Sequence, residues 1–164
     1  MSEGYEETIA GQRLMRRPPT MSHEILVARL HQYVAAALPL NSTLRLLPPR
    51  SKLDLGEKSL VRPDLAVVRM ERGAAYNHPG QLYLVAEVLQ PGDHHIDTVI
   101  KKQVWTDGNL PRLWIIDPRY LNVEVYGRGE NGFGLLTILA NHHVLTDPYL
   151  PGLSCTMDQL FAGS

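Results

Sequence analysis

The feature that most constrains the fold is a set of short, almost entirely apolar segments, each about as long as a β-strand. Residues 82–89 (LYLVAEVL) and 113–116 (LWII) contain little but aliphatic and aromatic side chains, and residues 65–68 (LAVV) are similar. Such runs are typical of strands buried on both faces of a sheet, whereas a sheet with one face in water alternates apolar and polar residues. The sequence therefore predicts a central sheet that is covered on both faces.

Two further segments space their apolar residues as an amphipathic helix does. The first begins at a cap formed by Thr20 or Ser22 and runs to about Leu38, and the second covers residues 94–105, between two of the apolar strands. We expect these helices to cover the faces of the sheet. The predicted fold class is α/β (α+β), a central mixed sheet flanked by helices, with residues 1–164 forming a single domain.

The rest of the chain has weaker patterns. Residues 8–15 precede a break at residues 16–19 (RRPP) and are predicted as an edge strand. Residues 50–59 are predicted as a polar loop and residues 73–80 as a turn. Residues 156–161 predict a closing helical turn that covers a sheet edge.

The charge balance and the single cysteine restrict the class of protein. Lysine and arginine (16) nearly equal aspartate and glutamate (17), so the formal charge of −1 argues against a globally basic nucleic-acid binder and any basic groove must be local. A lone Cys155 excludes an internal disulfide and favours a reducing compartment. Because the acidic N-terminus lacks an apolar core and no apolar run approaches the ~20 residues that cross a bilayer, we expect a cytoplasmic protein without a membrane partner.

Two carboxylates interrupt the apolar strands. Asp64 precedes residues 65–68, and Glu87 lies inside residues 82–89. A charge in a strand buried on both faces costs desolvation free energy unless a cation or hydrogen bonds compensate it. Taken by itself, Asp64 has a structural explanation, because a Pro-Asp pair is common in the turn before a strand. Glu87 has fewer such explanations, and the pair, with a lysine on the next helix, indicates a divalent-metal site.

The order and spacing of these residues resemble a known family. The resemblance rests on Pro63-Asp64, residues 85–89 (VAEVL), Pro91, Asp97, Lys101, Trp105 and residues 113–118 (LWIIDP). On these residues the chain resembles the Uma-two family of restriction-type endonucleases, part of the PD-(D/E)XK (restriction endonuclease-like) superfamily, and the similarity extends from Glu7 to about Leu153. The resemblance implies a restriction endonuclease-like core and a metal-dependent endonuclease that hydrolyses DNA.

The family's site residues fall on three positions of this sequence. The resemblance implies that Asp64 and Glu87 bind the metal and that Lys101 is the catalytic lysine. In the parent motif the lysine lies two residues after the second acid, but here that position is Leu89. The resemblance therefore implies a lysine that has moved to the following helix, from which a long side chain can return to the carboxylates.

The chemistry of such a site explains the residue types. A hard cation such as Mg²⁺, with Mn²⁺ as the alternative, takes oxygen ligands, which here would be Asp64, Glu87 and the carbonyl of Val88. The ion is a Lewis acid and lowers the pKa of a bound water. Lys101 would orient that water or stabilise charge that develops on the phosphate.

Several residues keep two interpretations. The first helix offers either Glu24 as a further carboxylate or His23 as a supporting group. Lys101 also lies four residues after Asp97, a spacing that favours an ordinary ion pair on a helix. The basic residues near the first acid could line a phosphate-contacting face, although scattered solvent-exposed charges are the more common explanation. These residues are Arg45, Arg50, Lys52, Lys58 and Arg62.

Functions of different classes follow from these features. A nuclease would have DNA as its partner, and nucleases of this fold often pair subunits to cut two strands, which favours a homodimer. The alternative is a catalytically silent nucleic-acid-binding or assembly module on the nuclease scaffold, which the neutral charge balance and Leu89 favour. Hydrolysis of another phosphate ester is a third interpretation.

Overall fold

The apolar segments form the centre of a six-stranded sheet. The computed structural model describes residues 3–56, 58–70, 81–93, 96–107 and 109–163. In spatial order the strands are β10 (Gly132–Leu139), β9 (Asn122–Gly129), β8 (Arg112–Asp117), β7 (Leu82–Val88), β6 (Leu65–Arg69) and β3 (Leu44–Leu46). Since β7 and β8 are parallel and the other neighbouring pairs are antiparallel, the prediction of a mixed sheet is confirmed.

A second, four-stranded sheet contains the N-terminal residues. Its strands, in spatial order, are β2 (Gln12–Arg16), β1 (Tyr5–Ile9), β5 (Leu60–Val61) and β4 (Leu53–Asp54). The prediction of one edge strand over residues 8–15 was wrong, because the chain turns at Ala10-Gly11 and forms a hairpin. Both turn residues have positive φ, 50° and 84°, as a two-residue hairpin turn requires. The predicted loop at residues 50–59 likewise includes β4.

The helices lie close to their predicted positions. They are α1 (Met21–Ala37), α2 (Lys101–Asp107), which continues a π-helical turn (Ile96–Ile100), and the short α3 (Met157–Leu160). The side chain of Thr20, and not that of Ser22, caps α1 by accepting a hydrogen bond from the backbone N–H of His23. The start of the second predicted helix and the predicted turn at residues 73–80 lie outside the described residues.

Apolar side chains cover both faces of the six-stranded sheet, which explains the continuous apolar strands. On one face, α1 packs against the sheet together with a hairpin of β11 (Val144–Asp147) and β12 (Leu150–Thr156). On the other face, Trp105 of α2 and Ile9 of β1 lie in the core that contains Val85 and Leu89. The predicted arrangement of a central mixed sheet flanked by helices is therefore confirmed. None of the helices in the described parts of the chain is long and apolar enough to cross a bilayer.

Candidate active site

Asp64 and Glu87 lie on the same face of the six-stranded sheet. Leu65 of β6 pairs with Ala86 of β7, and continuing this antiparallel register by one residue places Asp64 beside Glu87. The backbone N–H of Val88 donates to Oδ2 of Asp64 at 2.8 Å, which fixes the carboxylate at the end of β7. Asp64 is 3% exposed and Glu87 is 2% exposed. The structure thus brings the two acids together in a buried position.

Lys101, the first residue of α2, contacts Glu87 of this pair. Its Nζ lies 2.6 Å from Oε1 of Glu87 and 2.8 Å from Oε2 of Glu7, and the whole residue is buried. The helix returns over the sheet as the sequence suggested, so the lysine contacts Glu87 although Leu89 occupies the position of the parent motif. The side chain of Asp97, the alternative partner, lies outside the described part of the structure.

Glu7 is a third buried acid at the site, and its role was not predicted from the sequence. Besides Lys101, it contacts Nη1 of Arg16 at 2.5 Å and accepts a hydrogen bond from the backbone N–H of Arg62 at 2.7 Å. Burial alone would raise the pKa of Glu7, but Lys101, Arg16 and the Arg62 amide outweigh burial and hold the pKa below its ordinary value. The sequence signal that could have found Glu7 is the period of two along a strand, since it places Glu7 on the same face of β1 as Tyr5 and Ile9.

Arg16 continues the network towards the turn after β7. Its guanidinium is buried and lies with Nη2 3.3 Å from Oδ2 of Asp93, while its Nη1 contacts Glu7. Asp93 also accepts a hydrogen bond from Nε2 of Gln90 at 3.3 Å. Charges of opposite sign therefore alternate along this network, in the order Asp93, Arg16, Glu7, Lys101 and Glu87. The attraction between neighbouring charges compensates the free energy that each loses by desolvation.

His23, on the first turn of α1, lies beside Asp64. Its Nε2 donates to the carbonyl oxygen of Val88 at 3.0 Å and lies 3.4 Å from Oδ2 of Asp64. Burial would lower the pKa of His23, but Asp64, the Val88 carbonyl and Glu24 outweigh it and raise the pKa. In turn, burial would raise the pKa of Asp64, whereas His23, the Val88 amide and Lys101 lower it.

Of the two candidates on α1, His23 is the one that contacts the acid pair. Glu24 has a side chain that is 37% exposed, and its Oε2 accepts from Nη2 of Arg50 at 2.7 Å. The other guanidinium nitrogen of Arg50, Nη1, lies 3.5 Å from Oδ1 of Asp64. Glu24 therefore reaches the acids through Arg50.

The oxygen atoms at this site fit a hard divalent cation in their chemistry. Asp64, Glu87 and the Val88 carbonyl offer only oxygen atoms, and Oδ1 of Asp64 is buried without a hydrogen-bond partner among the described residues. In this structure, however, oxygens at the site are paired with protein groups, namely Lys101, Arg16 and His23. In the described ranges, no cluster of three or more His, Cys, Asp or Glu side chains is arranged to hold a metal ion. A cation would therefore compete with these protein groups for the carboxylate oxygens.

A cavity of about 160 Å³ borders the buried site. Its lining includes Thr20, Ser22, His23, Val88, Gln90 and Pro91. Of these residues, His23 and Val88 also contact Asp64, although Asp64 and Glu87 themselves do not line the cavity.

Comparisons with known proteins identify relatives over almost the full length. A family model described as "Uma2: Putative restriction endonuclease" matches residues 3–158. Among solved structures, the chain is similar to the crystal structure of a "putative nuclease belonging to DUF820" from Anabaena variabilis ATCC 29413, with 17% sequence identity, a TM-score of 0.77, and coverage of 96% of this chain and 89% of that chain. At this identity the likeness shows a shared fold. No curated protein matches the chain.

Proposed function

This chain belongs to the Uma2 family, and from that premise we propose that it is a metal-dependent endonuclease that hydrolyses phosphodiester bonds in DNA. The family and the fold support a nuclease. The observation that carries the finer proposal is the contact of Lys101 with Glu87 at 2.6 Å, next to Asp64 on the same sheet face. Residues 1–164 would form one nuclease domain.

The proposed cation site uses oxygen ligands only. Asp64, Glu87 and the carbonyl of Val88 would hold Mg²⁺, with Mn²⁺ as the alternative, because hard cations prefer carboxylate and carbonyl oxygens. When bound, the ion would supply Lewis acidity and lower the pKa of a bound water. His23 donates to one lone pair of the Val88 carbonyl oxygen, and the second lone pair would be the one that binds the cation.

Lys101 and Glu7 have separate roles in this proposal. Lys101 is the catalytic lysine, whose ammonium orients the attacking water or donates to a phosphate oxygen as charge develops there. Glu7 is a positioning residue, because it contacts the same ammonium at 2.8 Å and is itself held by the backbone N–H of Arg62. Without Glu7, the lysine would lose a carboxylate that holds its ammonium in position.

Cleavage assays with purified protein test the proposal. Asp64→Asn and Glu87→Gln, which keep the side-chain shape, should abolish cleavage of DNA in Mg²⁺ and in Mn²⁺, with circular dichroism to check that both variants are folded. The matched control is Glu130→Gln, which removes an exposed acid and should cleave as the wild type does. Wild-type cleavage by both site variants would reject the proposal, and a comparison of DNA, RNA and small phosphodiesters would define the substrate.

The catalytically silent nucleic-acid-binding or assembly module is the second candidate. The observation in its favour is Leu89, which lies in the core at 2% exposure where the parent motif has lysine, together with acid oxygens that are already paired within the protein. Calorimetric titration with Mg²⁺ or Mn²⁺ separates the two candidates. The absence of binding that depends on Asp64 and Glu87 would favour the silent module.

We also propose a cytoplasmic homodimer. The support for a second copy is strand β10, an edge of the six-stranded sheet that carries no charged residue and no proline. Leu135, Leu136 and Ile138 on this strand are 49%, 45% and 47% exposed. The support for a cytoplasmic location is Cys155, which is buried and forms no disulfide, because cysteines remain reduced in that compartment.

A further inference from the structure

Arg50 occupies a backbone position that disfavours arginine. The backbone N–H of Ser51 donates to the carbonyl of Pro48 at 3.3 Å, so residues 48–51 form a turn with Pro49 and Arg50 at its centre. Arg50 has a φ of 58°, and a turn that combines a central proline with a following residue of positive φ normally takes glycine or asparagine there. Backbone strain of this kind persists where the surrounding structure enforces it, and it is concentrated at functional sites.

The surrounding contacts hold the strained residue against the acid site. The backbone N–H of Arg50 donates to the carbonyl of Pro63 at 2.9 Å, one residue before Asp64. The carbonyl of Arg50 accepts from Nη1 of Arg62 at 3.3 Å. The turn is therefore attached to the segment that carries the first acid.

The two nitrogens of the Arg50 guanidinium fork face different carboxylates. Its Nη2 donates to Glu24 at 2.7 Å, whereas its Nη1 lies 3.5 Å from Oδ1 of Asp64 and makes no hydrogen bond to any residue that the structure describes. A guanidinium is a planar fork of donors that matches the oxygens of a phosphate. Nη1 is thus a buried donor next to Asp64 whose hydrogen-bonding capacity is not used.

Arg50 also differs from the other cations at the site in its exposure. The side chains of Arg16 and Lys101 are 3% and 1% exposed, and each contacts two carboxylates. The side chain of Arg50 is 18% exposed, so it lies at the boundary between the buried acids and solvent. A phosphate that approaches Asp64 from solvent would meet Arg50 before it meets Lys101.

From this geometry we propose that Arg50 binds a non-bridging oxygen of the substrate phosphodiester through its guanidinium and places the phosphate beside Asp64. The inference rests on the proposed nuclease function and adds a substrate-binding residue to it. Glu24 is then a positioning residue, which fixes the guanidinium through Nη2. If Arg50 were only a structural link between α1 and Asp64, Arg50→Gln and Arg50→Gly would leave the salt dependence of DNA binding unchanged, and this result would overturn the phosphate contact.

Three variants of Arg50 separate the side-chain role from folding. Arg50→Gln removes the charge, and Arg50→Lys keeps the charge but removes the fork. Arg50→Gly removes the side chain and also relieves the backbone strain, which offsets part of the stability lost with the Asp64 ion pair, and circular dichroism checks that each variant is folded. The matched control is Lys52→Gln, which removes an exposed positive charge from the same loop.

Two measurements are made on the full chain with each variant: binding of a fluorescent DNA duplex by anisotropy in Ca²⁺, and cleavage in Mg²⁺. Arg50→Gln and Arg50→Gly should weaken binding about tenfold and reduce the slope of log Kd against log salt by about one. They should also lower kcat/KM by about 10²-fold, with Arg50→Lys in between. Lys52→Gln should change binding and cleavage much less.

The outcomes distinguish this inference from the proposed function. Wild-type binding and cleavage by Arg50→Gln and Arg50→Gly would overturn the phosphate role of Arg50 and leave the nuclease proposal standing. A wild-type protein that cleaves nothing, but whose DNA binding depends on Arg50, would overturn the nuclease proposal and support the phosphate contact. A wild-type protein that neither binds nor cleaves DNA would overturn both.

Discussion

Nζ of Lys101 lies 2.6 Å from Oε1 of Glu87, so the first residue of α2 forms a buried ion pair with a carboxylate of β7. A buried pair gives little net stability compared with apolar residues of similar size, but breaking it leaves an uncompensated buried charge. The lysine compensates Glu7 as well, at 2.8 Å. Lys101 therefore links the two sheets and α2 at the proposed catalytic centre, and its removal has consequences for folding as well as for activity.

Lys101→Met is expected to lower the free energy of unfolding by about 3–5 kcal/mol, because Glu7 and Glu87 lose a shared cation in a buried position. Urea denaturation measures this change. The matched control is Lys102→Met, since Lys102 is only half-buried and lies 4.8 Å from the Tyr126 ring, a contact worth about 1 kcal/mol or less. Equal destabilisation by the two variants would contradict the expectation.

The double variant Lys101→Met/Glu87→Gln is expected to be more stable than the sum of the two single changes predicts. Each single change leaves the other group charged and buried, whereas the double change removes both charges. Coupling of about 1–3 kcal/mol in a double-mutant cycle would show the interaction. Additive losses would mean that the two groups do not interact in solution.

Acid is expected to destabilise the protein partly through Glu7. The folded-state pKa of Glu7 is lowered because Lys101, Arg16 and the Arg62 amide outweigh burial, so below its ordinary value of 4.5 the unfolded state binds more protons than the folded state. The contribution of Glu7 to stability is therefore complete above pH 4.5 and is lost as the pH falls through the folded-state pKa.

Urea denaturation at several pH values measures this effect. Below pH 4.5 the stability of the wild type should fall more steeply than that of Glu7→Gln, which has no carboxylate to titrate. Glu130→Gln, at an exposed position, should follow the wild type. Parallel pH profiles for the wild type and Glu7→Gln would show that Glu7 does not carry the acid dependence.

The sheet and its two faces could be predicted because the signal lies in contiguous residues. The run from Leu82 to Leu89 has no polar face, and the structure covers it on one side with α1 and on the other with α2 and the four-stranded sheet. The same continuity made Glu87 stand out, since a charge in such a run needs a partner. The partner on the next helix, Lys101, was found through the family resemblance.

The N-terminal part of the site could not be predicted in the same way. Glu7 follows another glutamate in a segment with mostly polar residues, and its partners Arg16, Arg62 and Lys101 come from three other elements. The hairpin that buries Glu7 turns at Ala10-Gly11, which lacks the Asn-Gly or Asp-Gly signal of such turns. The choice between His23 and Glu24 likewise depends on how the first turn of α1 lies against β7, which helical spacing does not determine.

Bound Mg²⁺ or Mn²⁺ is expected to stabilise the folded protein. A ligand at a concentration of 100 times its Kd adds about 2.7 kcal/mol, and EDTA should reverse the resulting rise in Tm. Asp64→Asn and Glu87→Gln should lose this stabilisation, whereas Glu24→Gln should keep it, because Glu24 contacts Arg50 and not the acid pair. An equal rise in Tm for all four proteins would place the cation elsewhere.

Strand β10 is expected to mediate pairing of two copies. It pairs with β9 on one side and with no strand of the described residues on the other, and its eight residues include neither a charge nor a proline. The opposite edge, β3, is only three residues long and carries Arg45, which are features that protect an edge from pairing. Because two neutral strands can pair antiparallel across a two-fold axis without opposing like charges, a second copy of this chain is the partner that the edge fits.

Light scattering after size-exclusion chromatography tests this pairing over a range of protein concentrations. Thr137→Lys, at an exposed position of β10, would bring two like charges close to the two-fold axis and should give a monomer. Gln103→Lys adds the same charge at an exposed position of α2 and should leave the dimer intact. A wild type that is monomeric throughout, or a dimer that Thr137→Lys does not dissociate, would show that β10 is not the interface.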